Sequence, residues 1–203
     1  MADLVTLQQY KDFAGLQGVQ NDARINTIID QVSQLVKSYC SSTIIDYAAT
    51  NKTEFFTVKD DLVDTIILEE SPIIDVVSVE ERTGQADAYV TLITENSNNS
   101  GKYEYVVNDD SDSITRTSDS GTKSWPKGPK SVKVVYKAGY VSTPDDLKLA
   151  VFDLIKYYLK DERKERMSIA GATVENAVSS SLSGNIGFPD HIKRILDMYK
   201  IYS

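Results

Sequence analysis

The hydrophobic positions of the N-terminal region recur at the spacing of an α-helix and predict two helices. In the first, Thr6 and Gln9 form a capping-box pair, and Gly15 is expected to end the helix. In the second, Asn21 or Asp22 can cap a longer apolar stripe. The first stripe consists of Leu7, Tyr10, Phe13 and Ala14, and the second of Ile25, Ile28, Ile29, Val32, Leu35, Val36 and Tyr39.

A third helix is predicted to begin at Pro144. Thr143 can act as its N-cap, Pro144 suits the first helical position, and two aspartates follow where the helix dipole favours negative charge. Because its stripe resembles that of the second helix, we expect the two to pack together in a small bundle. The stripe consists of Leu147, Val151, Leu154, Ile155 and Tyr158.

Between these helices the apolar positions change to an alternating pattern, which predicts strands. The connections are rich in turn-forming residues and too short for helical crossovers, so the sheet should be mostly antiparallel. Asn108 to Ser113 is interpreted as a hairpin tip. The predicted strands are Thr53 to Val58, Thr65 to Leu68, Ile73 to Glu81, Ala88 to Thr94, Tyr103 to Val107 and Ser131 to Lys137.

The C-terminal region is mostly small and polar until a last short helix begins after Phe188-Pro189-Asp190. Such a short helix is marginal alone and needs a surface on its own bundle or on another protein. The predicted fold is therefore α+β: a helical bundle, an inserted and mostly antiparallel β-rich region, and an extended tail ending in a short helix. The predicted domains are 1–50 with 141–167 for the bundle, 51–140 for the β-rich insert and 168–203 for the flexible tail.

Composition limits the class of protein. The 203 residues are 41% hydrophobic, which is enough for a substantial core. The single Cys40 excludes an internal disulfide and a cysteine-rich zinc site. No apolar run is long enough to span a bilayer, and the first residues lack the pattern of a signal peptide, so we expect neither membrane insertion nor export.

The formal net charge of −8 argues against a sequence-reading DNA protein. The charge is unevenly distributed: residues 52–120 hold 16 acids and 5 bases, whereas residues 121–203 hold 9 acids and 14 bases. A solvated surface is the simpler interpretation. The alternative is an acidic channel wall that repels a passing duplex without trapping it.

Catalytic and metal-binding patterns are weak, and we predict no enzyme, cofactor or metal. His191 is the only histidine and has no catalytic motif around it. The acidic run from Asn108 to Ser113 offers oxygen ligands, and calcium is its less favoured alternative because the glycine and distant glutamate of an EF-hand are missing. Trp125, in a turn rich in Pro and Gly, either plugs the end of the sheet or forms a subunit interface; the plug is favoured.

The order of these motifs resembles the head-to-tail connector (adaptor, head completion) proteins of tailed bacteriophages. The shared features are Trp125, Gly128, the strand Val132 to Tyr136 and the turn Ala138 to Tyr140. Upstream, TIILEESPIIDVVSVEER is similar to the family's paired strands around a proline. Downstream, GFPDHIKRILDMYK is similar to its short C-terminal helix.

This resemblance implies a structural protein of the virion neck, made in the host cytoplasm. It would bind the portal protein after DNA packaging, form a homo-oligomeric ring of twelve-fold symmetry, and extend the channel through which DNA passes without sequence-specific binding. A stopper or tail-side neck protein would dock on the ring. The alternative is that the chain is itself a stopper or tail-completion protein. The implied portal-docking residues are Phe188, Pro189, Ile192, Ile195, Leu196 and Tyr199.

Overall fold

The computed structural model describes residues 2–93, 104–118, 121–160, 166–169, 172–175 and 188–201, with the backbone alone for 166–169 and 172–175. Thr94 and Tyr103 of the predicted strands, and most of the predicted tail before Phe188, lie outside the described residues. The chain divides into two compact units. Unit 1 comprises Met1–Ser42 and Ser142–Tyr202, and unit 2 comprises Thr43–Val141.

Helix α1 of unit 1, Leu7–Ala14, confirms its predicted start and end. The Thr6 hydroxyl accepts from the Gln9 amide, and the Gln9 side chain accepts from the Thr6 amide, which completes the capping box. Gly15 follows with a φ of 64° and ends the helix in the left-handed conformation that glycine adopts without strain.

Helices α2, Asp22–Cys40, and α3, Asp145–Leu159, form the long elements of unit 1. The predicted capping role of Thr143 is wrong. Its hydroxyl donates to the Leu4 carbonyl at 2.6 Å, and Pro144 occupies the cap position without a side-chain hydrogen bond. The Thr143 hydroxyl therefore binds the N-terminal segment, whereas the local pattern predicted that it would cap the helix.

The apolar stripes of α2 and α3 face each other and form the core of unit 1, as predicted. A fourth helix, α4, spans Asp190–Met198 and contacts both of them. The buried side chains are Ile25, Ile29, Val32, Val36 and Cys40 from α2, Leu147, Ala150, Val151, Leu154 and Ile155 from α3, and Ile192 and Leu196 from α4. Two further strands in this unit, β9 at Arg166–Ile169 and β10 at Ala172–Glu175, pair as an antiparallel hairpin.

Unit 2 is built from strands that pair antiparallel wherever the structure describes them, as predicted. One sheet has the order β1-β8-β3-β4, and the other has the order β2-β6-β5 with β7 paired to β6. The strands are β1 Lys52–Val58, β2 Thr65–Ile67, β3 Ile73–Glu81, β4 Val90–Thr91, β5 Tyr105–Asn108, β6 Ser113–Ser118, β7 Gly121–Thr122 and β8 Gly128–Ala138.

A single apolar cluster fills unit 2 and draws side chains from both sheets. Because side chains alternate along a strand, β1, β3 and β8 of the first sheet each send one set of residues to this cluster and the other set outward. The buried members are Val58, Ile66, Leu68, Val79, Leu92, Tyr105, Ile114, Trp125, Val132, Val134, Tyr136 and Ala138.

Strands β6 and β7 were not predicted. Within Ser113–Ser118 the inward positions are Ile114 and Arg116, so a charged residue stands where the alternating pattern requires an apolar one. The predicted hairpin tip lies between β5 and β6, as a short 3-10 turn at Asp109–Ser111. Strand β4 is shorter than predicted within the described residues, because only two of its residues pair with β3.

The chain enters and leaves unit 2 at one tightly packed point. The Ile44 carbonyl accepts from the Tyr140 amide at 2.7 Å, and the Gly139 amide donates to the Pro72 carbonyl at 2.8 Å. Gly139 has a φ of 92°, and a Cβ atom there would lie 2.2 Å from the Ile44 oxygen. Only glycine fits, because the position combines a left-handed backbone with direct backbone contact.

We expect Gly139→Ala to lower the free energy of unfolding of unit 2 by at least about 2 kcal/mol, from backbone strain and steric overlap together. Gly121→Ala is the matched control, because Gly121 also has a positive φ, 126°, but no atom lies within 4 Å of its added Cβ. Urea unfolding followed by the fluorescence of Trp125, the only tryptophan, measures both. Equal losses in the two variants would contradict the packing argument.

Candidate functional site

The C-terminal segment, predicted to dock on a partner, is folded onto unit 1. Asp190 begins α4, where a carboxylate favours the positive helix end. Phe188, Ile192 and Leu196 are at most 2% exposed. The sequence therefore identified the apolar face of this helix, but that face packs against the helix's own unit.

The predicted docking residues thus divide into two groups. Phe188, Ile192 and Leu196 cannot contact another protein while α4 stays in place, because their side chains are buried. Pro189, Ile195 and Tyr199 keep part of their surface accessible. All six residues lie in one segment, but three face the core of unit 1 and three are partly accessible to solvent.

Polar contacts hold the same segment at three points. The Tyr39 hydroxyl donates to Asp197 at 2.5 Å, and the Tyr199 hydroxyl donates to Asp146 at 2.6 Å. The Ile201 amide donates to the Cys40 carbonyl at 2.9 Å. These bonds and the buried apolar face supply the tertiary contacts that a short helix needs.

The outer face of α4 was missed by the sequence interpretation. His191, Arg194 and Met198 are exposed there, and Met198 keeps 68% of its surface accessible. A helical projection of the same residues could have separated this face from the stripe. An exposed methionine beside an arginine suits contact with a partner surface that is acidic and partly apolar.

A cleft of about 260 Å³ lies in unit 1 between α3 and the start of α4. Its polar lining includes two lysines, one aspartate and His191, so the charged groups of the lining carry both signs. The lining as described holds no serine or cysteine that could serve as a nucleophile beside His191. The lining residues are Asp153, Lys156, Tyr157, Lys160, Pro189, His191 and Ile192.

Trp125, the candidate subunit interface, is 1% exposed and lies in the core of unit 2. This burial matches the packing alternative. A subunit contact through the indole would require the Trp125 side chain to leave the core. Its indole nitrogen is buried without a hydrogen-bond partner among the described residues. The Arg116 guanidinium lies 5.9 Å from the ring centroid, a favourable cation–π distance.

Arg116 joins the two sheets of unit 2 by a buried ion pair. Its guanidinium donates two bonds of 2.9 Å to the Glu81 carboxylate, from β6 to β3. It also donates to the backbone carbonyls of Glu104 and Thr117. The planar group therefore satisfies its donors in a site where an unpaired charge would be costly.

A second polar cluster surrounds Lys52 in β1. The ammonium lies 2.6 Å from Glu54, 3.1 Å from Glu69 and 3.6 Å from Glu70. Tyr136 donates its hydroxyl to Glu54 at 2.6 Å and accepts from the Glu70 amide. This network anchors the loop after β2 to the inner side of β1 and β8 and accounts for carboxylates in the interior.

The cluster shifts the pKa values of two of its members. Burial of Lys52 opposes its charge, but hydrogen bonds to Glu54 and Glu69 and the neighbouring carboxylates raise its pKa overall. Burial, followed by the hydrogen bond to Glu54, raises the pKa of Tyr136. Burial also raises the pKa of Tyr105 to about 12. These arrangements stabilise structure and do not poise a group for proton transfer at neutral pH.

The outward side of the β1-β8-β3-β4 sheet is the other surface that sequence reasoning missed. Phe55 is 47% exposed, and its ring centroid lies 6.2 Å from that of Tyr89. Lys130 lies 5.5 Å from the Phe55 centroid, and Arg82 lies 4.9 Å from the Tyr89 centroid. The wide spacing of these residues in the sequence left no local motif to recognise.

Among the described residues, no group of His, Cys, Asp and Glu side chains is arranged to hold a metal ion. None of the helices in the described ranges combines the length and apolar character needed to cross a membrane.

Comparison with known proteins identifies a family. The profile of a family described as head completion protein matches residues 3–202. No curated protein matches the sequence.

Solved structures share the fold. Similar chains occur in the neck of an empty gene transfer agent (GTA) particle computed with C6 symmetry, at 13% identity, TM-score 0.57, and coverage of 98% of this chain and 91% of that one. Another occurs in the neck of a native GTA particle computed with C12 symmetry, at 12% identity, TM-score 0.57, and coverage of 100% and 95%. At this identity the likeness establishes the fold alone.

Above pH 10 we expect the free energy of unfolding of unit 2 to fall. The folded state raises the pKa of Tyr136 above its ordinary value of 10, so the unfolded chain releases the proton first and is favoured as pH rises. The loss should approach about 1.4 kcal/mol per pH unit for each such tyrosine. Tyr136→Phe should reduce the slope, and urea unfolding at several pH values measures this. A slope that Tyr136→Phe leaves unchanged would contradict the assignment.

Leu196→Ala should lower the free energy of unfolding of unit 1 by about 2–5 kcal/mol, because it leaves a cavity under α4. Met198→Ala, two residues along the same helix but exposed, should cost less than about 0.5 kcal/mol. Thermal unfolding followed by far-ultraviolet circular dichroism compares the two. If Leu196→Ala were as stable as the wild type, α4 would not be seated on unit 1.

Proposed function

The chain belongs to the head completion protein family, and on this premise we propose that it is a structural neck protein that forms a ring below the portal of a phage-like particle. The ring extends the DNA channel and offers a docking surface to the next neck or tail component. The single observation that carries the proposal is the family match over residues 3–202. The shared fold of chains from GTA necks, in structures computed with C6 and C12 symmetry, supports a ring.

The portal contact is assigned to the outer face of α4. That face presents Arg194 and Met198 without disturbing the buried Ile192 and Leu196, so docking does not require the helix to leave unit 1. Its cationic and apolar side chains call for an acidic, partly apolar surface on the portal. Repetition of a modest contact around a ring gives high avidity.

The acidity of unit 2 fits a channel that conducts DNA. Residues 43–141 hold 17 acids and 10 bases, so this unit repels phosphates on average. A repelling wall lets a duplex slide without holding it at any register. Binding and channel formation are functions of surfaces, and the proposed role includes no catalysis.

We expect the double variant Arg194→Glu with Met198→Asp to lose the capture of portal protein from a phage-producing lysate while keeping the unfolding temperature of the wild type. The charge reversal and the added carboxylate oppose an acidic partner, and both positions are exposed. Leu149→Asp, at an exposed apolar site of α3, is the matched control and should retain capture. Mass spectrometry of the captured proteins gives the readout.

Substitutions are preferable to deletion of residues 187–203 because the deletion would remove three buried side chains and unfold unit 1. Capture of tail proteins without portal by the wild-type chain would move the assignment to a stopper or tail-completion protein. Unchanged portal capture by the double variant would show that another surface makes the contact.

A further inference from the structure

The outward face of the β1-β8-β3-β4 sheet carries an unusual combination of side chains. Its register places Phe55 beside Lys133, and Asp75 beside Lys137. Lys133 is paired with Glu80 at 3.1 Å. The face is therefore mixed in charge, with an exposed aromatic ring on its edge strand β1, a combination found on surfaces that another protein covers.

Lys130 is an exposed cation of this face. Arg82 is already committed, because its guanidinium donates to the carbonyls of Gln85, Pro129 and Lys130. Lys130 contacts the Phe55 ring, but no carboxylate among the described residues lies within ion-pair distance of its ammonium. Beside the exposed Phe55 ring, the described part of the face thus offers a positive charge without a carboxylate partner.

The opposite end of unit 2 carries the complementary charge. Asp109 and Asp110 are exposed in the β5–β6 turn, and none of the described bases pairs with them. Asp112 of the same turn accepts from the Ile73 amide at 2.9 Å, which fixes the turn beside the start of β3. Arg82 follows the end of β3 and donates to the Lys130 carbonyl, so Lys130 lies at that end of the strand. The acidic turn and Lys130 are therefore about 30 Å apart, the length of nine residues of strand.

Lys130 and the acidic turn cannot meet within one chain across this distance, whereas two copies arranged head to tail bring them together. We propose that the outward face of the β1-β8-β3-β4 sheet receives the β5–β6 turn of a second copy. Such a heterologous contact uses two different surfaces and closes into a ring when its rotation permits. This inference rests on the ring of the proposed function and assigns the interface within it.

A second copy fits the face better than DNA does. Asp75 and Glu80 stand among its lysines, so a phosphate backbone would meet negative charge beside Lys133 and Lys137. The acidic turn instead places its carboxylates at Lys130, which has no carboxylate partner among the described residues. The exposed Phe55 ring adds apolar area that a protein surface covers and a phosphate backbone does not.

Cysteine cross-linking locates this interface. Lys130→Cys and Asp110→Cys chains, mixed and oxidised, should form disulfide-linked dimers, and the chain with both substitutions should form a ladder of larger species. Neither single variant alone should cross-link. The natural Cys40 does not interfere because it is buried and burial raises the pKa of its thiol to about 12. Lys130→Cys mixed with Leu62→Cys, a highly exposed site elsewhere in the unit, is the control.

Charge reversal provides a second readout at low ionic strength. Lys130→Glu and Asp110→Lys should each weaken self-association about five-fold in sedimentation experiments, as expected for loss of one exposed ion pair, and their combination should restore it. Oligomers that form but do not cross-link at this pair would overturn the interface and leave the ring intact. A chain that stays monomeric at all concentrations would overturn the ring as well. Duplex DNA binding that Lys130→Glu abolishes would identify DNA as the occupant.

Discussion

A charged side chain buried between two sheets is the constraint on which unit 2 depends. Arg116 reaches from β6 to Glu81 of β3 and also satisfies two backbone carbonyls. Removal of one partner of such a pair leaves an uncompensated buried charge, at a cost of about 3–5 kcal/mol. The same guanidinium lies near Trp125, so the ion pair, the ring and the apolar cluster specify one packing of the two sheets.

In unit 1 the main constraint is the attachment of the short helix α4. Ile192 and Leu196 bury one face of α4, and hydrogen bonds from Tyr39 and Tyr199 tie the segment to α2 and α3 through carboxylates. A helix already ordered in this way binds without a further loss of conformational entropy. The exposed side chains around Arg194 therefore lie on a helix that is already ordered.

The family of this protein and its exposed surfaces both favour a role in particle assembly. The described residues offer exposed and unpaired groups on surfaces, while buried charged groups such as Lys52 and Glu54 are paired in structural networks. Charges that find no partner within the chain are available for contacts with other molecules. A particle component repeated around an axis multiplies each such contact, so modest local energies suffice.

The sequence by itself determined the elements whose signals are local. The capping box at Thr6 and the apolar periods of α2, α3 and β8 follow from backbone geometry, which neighbouring residues set. Only the tertiary structure decided which group the Thr143 hydroxyl binds, why Arg116 faces inward, and which surface the apolar stripe of α4 covers. These outcomes depend on partners distant in sequence, because burial and hydrogen-bond satisfaction are properties of the assembled fold and not of the local chain.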